Sequence, residues 1–163
     1  MMRRILGGLL CLFAALPAQA QGSCKDPLHR QFDFWLGDWE VRKKDGTLAG
    51  TSRIEARHGG CVLHEQYSTP SGYTGESVNL YDAARKVWHQ SWVDNGGLLL
   101  QLDGGLVDGS MRLEGPGQDA KGAPIRHRIT WTPHPDGTVR QLWESTDASG
   151  TWTVAFDGTY KRK

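Results

Sequence analysis

The chain has 163 residues, a formal net charge of +1 and 23% charged residues. This length suits a single domain with a core of ordinary size. Because the charge is balanced and no basic face is evident, nucleic acid and anionic membrane surfaces are not expected as partners.

The chain begins with a predicted signal peptide at residues 1–20. An arginine pair, an apolar run and a small-residue cleavage site follow one another in that order within it. The apolar run is too short to span a bilayer. We therefore expect cleavage after Ala20, a periplasmic or secreted location, and a mature domain at residues 21–163 that has no stable insertion in a membrane.

Two cysteines, Cys24 and Cys61, remain once Cys11 is removed with the signal peptide. An exported protein folds in an oxidising compartment, where an even number of cysteines favours pairing. We expect a Cys24–Cys61 disulfide, although spacing alone does not establish proximity and two free thiols are the alternative. Lipid attachment at Cys24 is disfavoured because polar Gln21 stands where an aliphatic residue is wanted.

A short helix is predicted to begin at Asp26-Pro27. Asp26 can accept hydrogen bonds from the free amide groups of the first turn, and Pro27 loses no needed donor at the first helical position. The predicted helix has about ten residues and ends at Gly37, which can adopt the left-handed conformation of a helix terminus. Four apolar residues form one stripe along it: Leu28, Phe32, Trp35 and Leu36.

After Gly37 the apolar pattern changes from the helical period to the alternation of β-strands. Ten strands are predicted, at residues 39–43, 51–57, 61–68, 76–82, 87–94, 98–102, 106–113, 125–132, 139–146 and 152–162. Between them stand Asp-Gly, Asn-Gly, Gly-Gly and Ser-Gly pairs, which suit tight hairpins. The longer connection from Gly115 to Pro124 is polar and glycine-rich, and we expect it to be a mobile loop.

Sequential strands with hairpin-length links predict an all-β, antiparallel meander. Closure into an up-and-down β-barrel is favoured because it removes the exposed edges on which strands aggregate. A Greek-key sandwich is the alternative, but it needs long crossings that these links do not provide.

Three motifs carry a resemblance to known proteins. They are Phe32-Asp33-Phe34-Trp35-Leu36-Gly37-Asp38-Trp39-Glu40-Val41, Trp88-x-Gln90-x-Trp92-Val93-Asp94 and Phe156-Asp157-Gly158-x-Tyr160. Through them the chain resembles a family of exported bacterial proteins of unknown function, which is assigned to the lipocalin-like, or calycin, barrels. The resemblance implies a fold and carries no activity with it.

In calycin barrels a short helix followed by Gly-x-Trp closes one end, and an arginine near the last strand often covers the tryptophan. By resemblance, Trp35, Gly37 and Trp39 close the barrel here, and Arg162 is the candidate for the covering residue. We therefore expect a positive φ at Gly37 and a cation–π contact between Arg162 and Trp39.

Trp88, Gln90 and Trp92 alternate onto one face of a predicted strand. Broad apolar walls with a few orienting polar groups are typical of small-molecule pockets, so we predict that this face lines a cavity. Similar mixed faces on other strands complete the predicted ligand-binding set with Glu65, Tyr67, Asn79, Tyr81, His127, Gln141 and Trp143. We expect Gln90 to bond water in the free protein, and a solidly packed interior is the alternative.

The sequence offers little support for catalysis. Nucleophile motifs and metal-ligand spacings are not found, so we predict no catalytic residue, no metal and no cofactor. Pairing of Glu65 with Glu76 or Asp94 would suit a glycosidase, but the separation that decides such chemistry is not encoded in spacing. Burial in a cavity would shift both Glu65 and His127 toward their neutral forms, in which they could serve as acid or base.

Three hypotheses for function follow from these patterns. The first is an exported barrel that binds a small amphipathic or hydrophobic molecule without transforming it. The alternatives are an enzyme that acts on a small carbohydrate or lipid-like molecule in the same cavity, and a structural or partner-binding barrel with a filled interior. An open cavity of several hundred cubic ångströms would separate the first two hypotheses from the third. The sequence specifies neither the ligand nor the oligomeric state.

Overall fold

The structure is a computed structural model that describes residues 24–147 and 149–163. The predicted signal peptide at residues 1–20 lies outside the described residues. Within the described ranges, no helix has the length and apolar character needed to cross a membrane.

Ten antiparallel strands form a closed barrel in which each strand pairs with its neighbours in the chain. The barrel closes where the first strand pairs with the last, in the register Trp39 to Arg162. This arrangement confirms the predicted up-and-down β-barrel. The strands are Gly37–Lys43 (β1), Leu48–Arg57 (β2), Val62–Ser68 (β3), Thr74–Asp82 (β4), Val87–Asp94 (β5), Leu99–Val107 (β6), Ser110–Gln118 (β7), Pro124–Pro133 (β8), Val139–Thr146 (β9) and Trp152–Arg162 (β10).

The hairpin between β6 and β7 lies later in the chain than predicted. The turn is made by Asp108 and Gly109, whose φ values of 49° and 77° are both positive, as a tight two-residue hairpin requires. The prediction of a strand at 106–113 ran through this turn and is wrong. Gly104, which lies in the gap between the two strands predicted here, is inside β6, where a side chain would collide with the backbone carbonyl of Arg112 on β7.

The predicted bounds of the loop between β7 and β8, Gly115 to Pro124, are also wrong. β7 continues to Gln118, and a tight turn closed by a 2.9 Å hydrogen bond from the Asp119 amide to the Ala123 carbonyl leads into β8. A side chain at Gly117 would overlap the His127 ring. Gly115 and Gly117 therefore allow close packing between strands, whereas Gly122 belongs to the turn and has a φ of 81°.

The N-terminal helix consists of two consecutive 3-10 turns, Pro27–Arg30 and Asp33–Trp35, which we call the plug. Asp26 caps the first turn and accepts hydrogen bonds from the amides of Leu28 at 2.9 Å and His29 at 3.2 Å. The backbone of Phe32 (φ −107°, ψ 7°) leaves the helical region between the turns, so one continuous helix of about ten residues does not form.

The plug fills one end of the barrel, the closed end. Phe32 stacks on Trp35 with ring centroids 4.9 Å apart, and both rings are fully buried against Trp131. Trp39 is equally buried and donates a 2.9 Å hydrogen bond from Nε1 to the Trp35 carbonyl. Aromatic packing of this kind leaves no room for a ligand among these rings.

Both features expected of the closed end are present, namely the positive φ of Gly37 and the arginine that covers Trp39. Gly37 has a φ of 137°, so a side chain there would be strained, and it would also meet the Arg162 guanidinium. The guanidinium carbon of Arg162 lies 4.4 Å from the centre of the Trp39 ring. This distance is within the range of a cation–π contact.

The predicted Cys24–Cys61 disulfide is confirmed, with the two Cα atoms 5.0 Å apart. It ties the chain just before the plug to the connection between β2 and β3. Arg30, within the plug, also donates a hydrogen bond to the Gly60 carbonyl in the same connection. The plug is therefore attached to the barrel by a covalent bond and a hydrogen bond at one point.

Candidate functional site

A cavity of about 580 Å³ occupies the barrel at the end opposite the plug, which we call the open end. It lies beneath the β1–β2 and β3–β4 hairpins. Its lining comes from Lys43, Leu48, Ala49, Glu65, Tyr67, Thr69, Pro70, Ser71, Tyr73, Gln90, Trp92, Leu100, Ile129, Gln141, Trp143, Ala155, Phe156 and Tyr160. The alternative of a completely filled interior is therefore wrong.

The mouth of the cavity is polar and held by hydrogen bonds. Tyr73 donates a 2.7 Å hydrogen bond from its hydroxyl to the Asp94 carboxylate, and the Trp92 indole donates to the same oxygen at 3.4 Å. Desolvation and the Asp94 carboxylate both raise the pKa of Tyr73, so its hydroxyl keeps its proton. Lys43 is exposed at the same mouth and is the cation of the cavity lining.

The walls of the cavity are aromatic. Trp92 and Trp143 are half-buried, and the ring of Tyr67 lies 6.4 Å from that of Trp92. Gly75 on β4 makes this possible because any side chain there would overlap the Trp92 indole. The indole can thus lie flat against the neighbouring strand and leave the centre of the barrel open.

Glu65 lies at the floor of the cavity and is only 3% exposed. Its carboxylate accepts hydrogen bonds of 2.9 Å from Ser52 on one oxygen and of 2.9 Å from Ser77 on the other. The Tyr160 hydroxyl lies 3.5 Å from the first oxygen and makes a shorter bond, 2.6 Å, to the Gln141 side-chain oxygen. All of these partners are neutral.

Burial raises the pKa of Glu65 to about 7, although the hydrogen bonds from Ser52 and Ser77 act in the opposite direction. Desolvation therefore outweighs the donors that favour the charged form. The expected shift toward the neutral form is confirmed. At neutral pH this carboxyl group is poised between its two protonation states.

The hydrogen-bond network of Glu65 continues along the floor to Gln90. Ser77 accepts a 2.8 Å bond from the Asn79 side-chain amide, which also lies 3.2 Å from the Leu63 carbonyl. The Asn79 oxygen in turn accepts a 2.8 Å bond from the Gln90 amide. Asn79 therefore orients the Gln90 side chain, whose remaining polar atoms border the cavity.

His127 lies behind the cavity wall. It is buried, and its Nδ1 accepts a 3.1 Å hydrogen bond from the indole nitrogen of Trp143. Desolvation lowers the pKa of His127, which is the direction expected from the sequence. A neutral imidazole that accepts from Trp143 orients the indole but does not itself line the cavity.

Six of the ten predicted ligand-binding residues line the cavity, namely Glu65, Tyr67, Gln90, Trp92, Gln141 and Trp143. The other four, Asn79, Tyr81, Trp88 and His127, do not. Asn79 and His127 support lining residues from behind. Trp88 lies at the closed end, where its indole donates a 3.1 Å bond to Gln31 and its ring contacts Tyr81.

Several lining residues were missed by the sequence analysis. Tyr160 and Phe156 belong to β10, where an irregularity in pairing between Val154 and Phe156 shifts the register and obscures the alternation. Ala49 lies near a similar irregularity in the β1–β2 pairing. The mouth residues of the β3–β4 hairpin carry no periodic signal at all.

The structure does not bring Glu65 and Glu76 together as a carboxylate pair. Glu76 is exposed on the outer surface of β4 and bonds His64 at 3.0 Å, because neighbouring residues of a strand face opposite sides. Asp94 lies at the mouth with Tyr73. Glu65 is the carboxylate that the described part of the chain places at the cavity floor.

Comparison with known proteins adds no family to these observations: no protein-family model and no curated protein matches the chain. Within residues 24–147 and 149–163, no group of three or more histidine, cysteine, aspartate and glutamate side chains is placed to hold a metal ion. What the cavity can do follows from its own chemistry, which combines aromatic walls, a polar mouth and a buried carboxyl group.

Proposed function

We propose that the protein binds a small amphipathic molecule within the open end of the barrel and does not transform it. The observation that carries this proposal is the cavity of about 580 Å³ between aromatic walls. Pockets for small ligands are typically about 300–1,000 Å³, largely apolar and equipped with a few convergent polar groups. The volume of this cavity lies within that range, its walls are aromatic, and its polar groups are gathered at the floor.

The polar floor supports binding because its groups are already oriented. Glu65 is held by Ser52 and Ser77, and the Gln90 amide is held by Asn79. Side chains fixed in this way lose little conformational freedom when a ligand arrives. A preorganised polar floor below apolar walls favours a ligand with one polar head and an apolar body.

Binding without reaction is favoured over catalysis by what surrounds Glu65. Glycoside hydrolysis needs a second carboxylate several ångströms away. Glu76, one predicted partner, faces outward, and Asp94 is engaged by Tyr73 and Trp92 at the mouth. His127 bonds Trp143 instead of entering the cavity.

Export also belongs to the proposal. Cleavage after Ala20 would deliver the barrel to the periplasm or the outside of the cell, where the Cys24–Cys61 bond can form. The resemblance to a family of exported barrels supports the same location.

The test is a titration with Nile red, a neutral apolar dye whose fluorescence rises on leaving water. Ala49 is buried and lines the cavity, so Ala49→Phe should fill it, whereas Ala56→Phe adds the same ring at an exposed position of the same strand. We expect saturable binding by the parent and by Ala56→Phe. Ala49→Phe should bind about tenfold more weakly, which corresponds to a loss of about 1.4 kcal/mol.

Circular dichroism should show that both variants are folded. Absence of saturable dye binding by the parent protein would overturn the proposal. Equal binding by Ala49→Phe and Ala56→Phe would place the dye outside the cavity and would overturn it as well.

A further inference from the structure

Glu65 has an acceptor capacity that its neighbours do not use. A carboxylate offers about four lone-pair positions. Ser52 and Ser77 each occupy one at 2.9 Å, and the Tyr160 hydroxyl reaches only 3.5 Å because it is committed to Gln141. Since Glu65 also lines the cavity, the remaining capacity is directed to whatever occupies that space.

The surroundings of Glu65 also lack a compensating cation. Its partners are two serines and a tyrosine, and no lysine, arginine or histidine among the described residues forms an ion pair with it. A buried carboxylate is stable only when it is paired with a cation or neutralised by a proton. Within the described part of the barrel, Glu65 is therefore a buried acid without a cationic partner.

We infer that Glu65 receives the ammonium group of the ligand, and that the ligand class is small amphipathic amines with an aliphatic or aromatic body. This inference rests on the proposed function, because it needs a ligand in the cavity. The amine head would donate to the free lone pairs of Glu65, and the apolar body would lie against Trp92 and Trp143. The ammonium group of the ligand would supply the positive charge that balances the Glu65 carboxylate.

Other head groups fit the floor less well. A carboxylate ligand would bring a second negative charge to Glu65, and like charges repel at short distance. The lysine of the cavity lining, Lys43, is exposed at the mouth and cannot draw an anion to the floor. An alcohol could donate one hydrogen bond to Glu65 but would leave the carboxylate without a counterion.

Three tyrosines and one aspartate around the cavity keep one charge state between about pH 5 and pH 8, the range of the test. Burial and the charge of Glu65 raise the pKa of Tyr67 and of Tyr160, so both stay neutral. Tyr73 also keeps its proton, and bonds from Tyr73 and backbone amides lower the pKa of Asp94 despite desolvation, so Asp94 stays ionised. Desolvation lowers the pKa of His127, which lies behind the cavity wall and bonds Trp143.

The experiment is calorimetric titration with two matched pairs of probes, octylamine against octanol and phenethylamine against phenethyl alcohol. The parent protein at pH 8 should bind each amine at least about tenfold more tightly than its alcohol. Glu65→Gln should abolish this preference, so that each amine and its matched alcohol bind with similar affinity. Glu76→Gln, the same change on the outer surface of the barrel, should keep the preference.

The pH dependence provides a test that needs no variant. Glu65 has a pKa of about 7 in the ligand-free protein, so protonation between pH 8 and pH 5 should remove the amine preference. The amine affinity should therefore fall by the size of that preference, which is at least about tenfold, up to a limit of about hundredfold set by the pKa. Affinity for the alcohols should change little. This comparison within the parent protein remains decisive if Glu65→Gln fails to fold.

The outcomes separate the two claims. If the alcohols bind as tightly as the amines, or if only Nile red binds, the amine inference is overturned and the binding proposal stands. An amine preference that survives in folded Glu65→Gln, or that does not weaken at pH 5, also overturns the inference. If neither Nile red nor any of the four probes binds, both claims fail together.

Discussion

The two ends of the barrel contain the same aromatic residue types and use them differently. Trp88 and Trp92 share one face of β5, yet Trp88 is 1% exposed within the closed end while Trp92 forms a wall of the open cavity. Trp88 has a fixed partner for its indole nitrogen in Gln31, at 3.1 Å. Trp92 reaches only Asp94 at the mouth, at 3.4 Å.

The plug accounts for the difference between the two ends. Phe32 enters the closed end and makes edge contacts with Trp88 and Trp131, at centroid distances of 5.7 Å and 5.2 Å. No comparable segment of the described chain enters the open end. There the missing side chain of Gly75 leaves room for the Trp92 indole against the neighbouring strand. Aromatic content alone thus does not determine whether a barrel is solid or hollow.

The largest expected effect is that of Trp88→Ala on stability. Removal of a fully buried tryptophan should reduce the free energy of unfolding by about 3–5 kcal/mol. Trp92→Ala, on the same strand and face, should cost clearly less because it borders a cavity, but it should weaken the binding of Nile red. Urea unfolding and dye titration of the two variants would test this, and equal losses of stability would contradict the distinction between the ends.

Removal of the disulfide should have the next largest effect on the free energy of unfolding. Its loop spans 37 residues, so Cys24→Ser should reduce the free energy of unfolding by roughly 3–4 kcal/mol on the chain-entropy account. Because the bond anchors the plug at the closed end, the folded variant should still bind Nile red at the open end. Thermal melts that overlay those of the parent protein, or loss of dye binding in the folded variant, would contradict this assignment.

Glu65→Gln should have an effect on stability that depends on pH. The folded pKa of about 7 is above the ordinary value of 4.5, so the native state holds the proton more tightly than the unfolded state. The contribution of Glu65 to stability is therefore largest below pH 4.5, falls as the pH rises to about 7, and is constant above that.

Glutamine carries no titrating proton, so Glu65→Gln should match the parent protein at low pH and exceed its stability above pH 7 by up to roughly 3 kcal/mol. Urea unfolding across this pH range measures the difference directly. Glu76→Gln is the matched control on the outer surface. A difference between Glu65→Gln and the parent that does not change with pH would argue against a buried, unpaired carboxyl group.

Local patterns predicted most of the fold. The change of the apolar period at Gly37 and the glycine-containing turn pairs were sufficient to predict ten strands and their closure into a barrel. The strand bounds around Asp108-Gly109 were wrong although this pair carries a turn signal, because Gly104 also lies nearby and is required by the approach of Arg112. Such close approaches are properties of strand pairing and have no signature within one strand.

The sequence predicted which side chains of a strand point into the barrel, but not whether they lie at its open end or its closed end. Alternation correctly placed Glu65 and Trp92 inside the barrel. It assigned Trp88 to the same pocket, because alternation carries no information about which residues pack against the plug. The partners of Glu65 come from distant positions, Ser52 being 13 residues away and Tyr160 being 95 residues away. Only the closed barrel brings them together.

The distinction between a solid and a hollow end is tested most directly by the tryptophan indole signals in a two-dimensional proton–nitrogen NMR spectrum. During titration with octylamine and, separately, octanol, the signals of Trp92 and Trp143 should shift, since both indoles line the cavity. Those of Trp39, Trp88 and Trp131 should stay fixed, since all three are buried at the closed end. Shifts among the closed-end signals, or none at Trp92 and Trp143 with either probe, would contradict a ligand cavity at the open end.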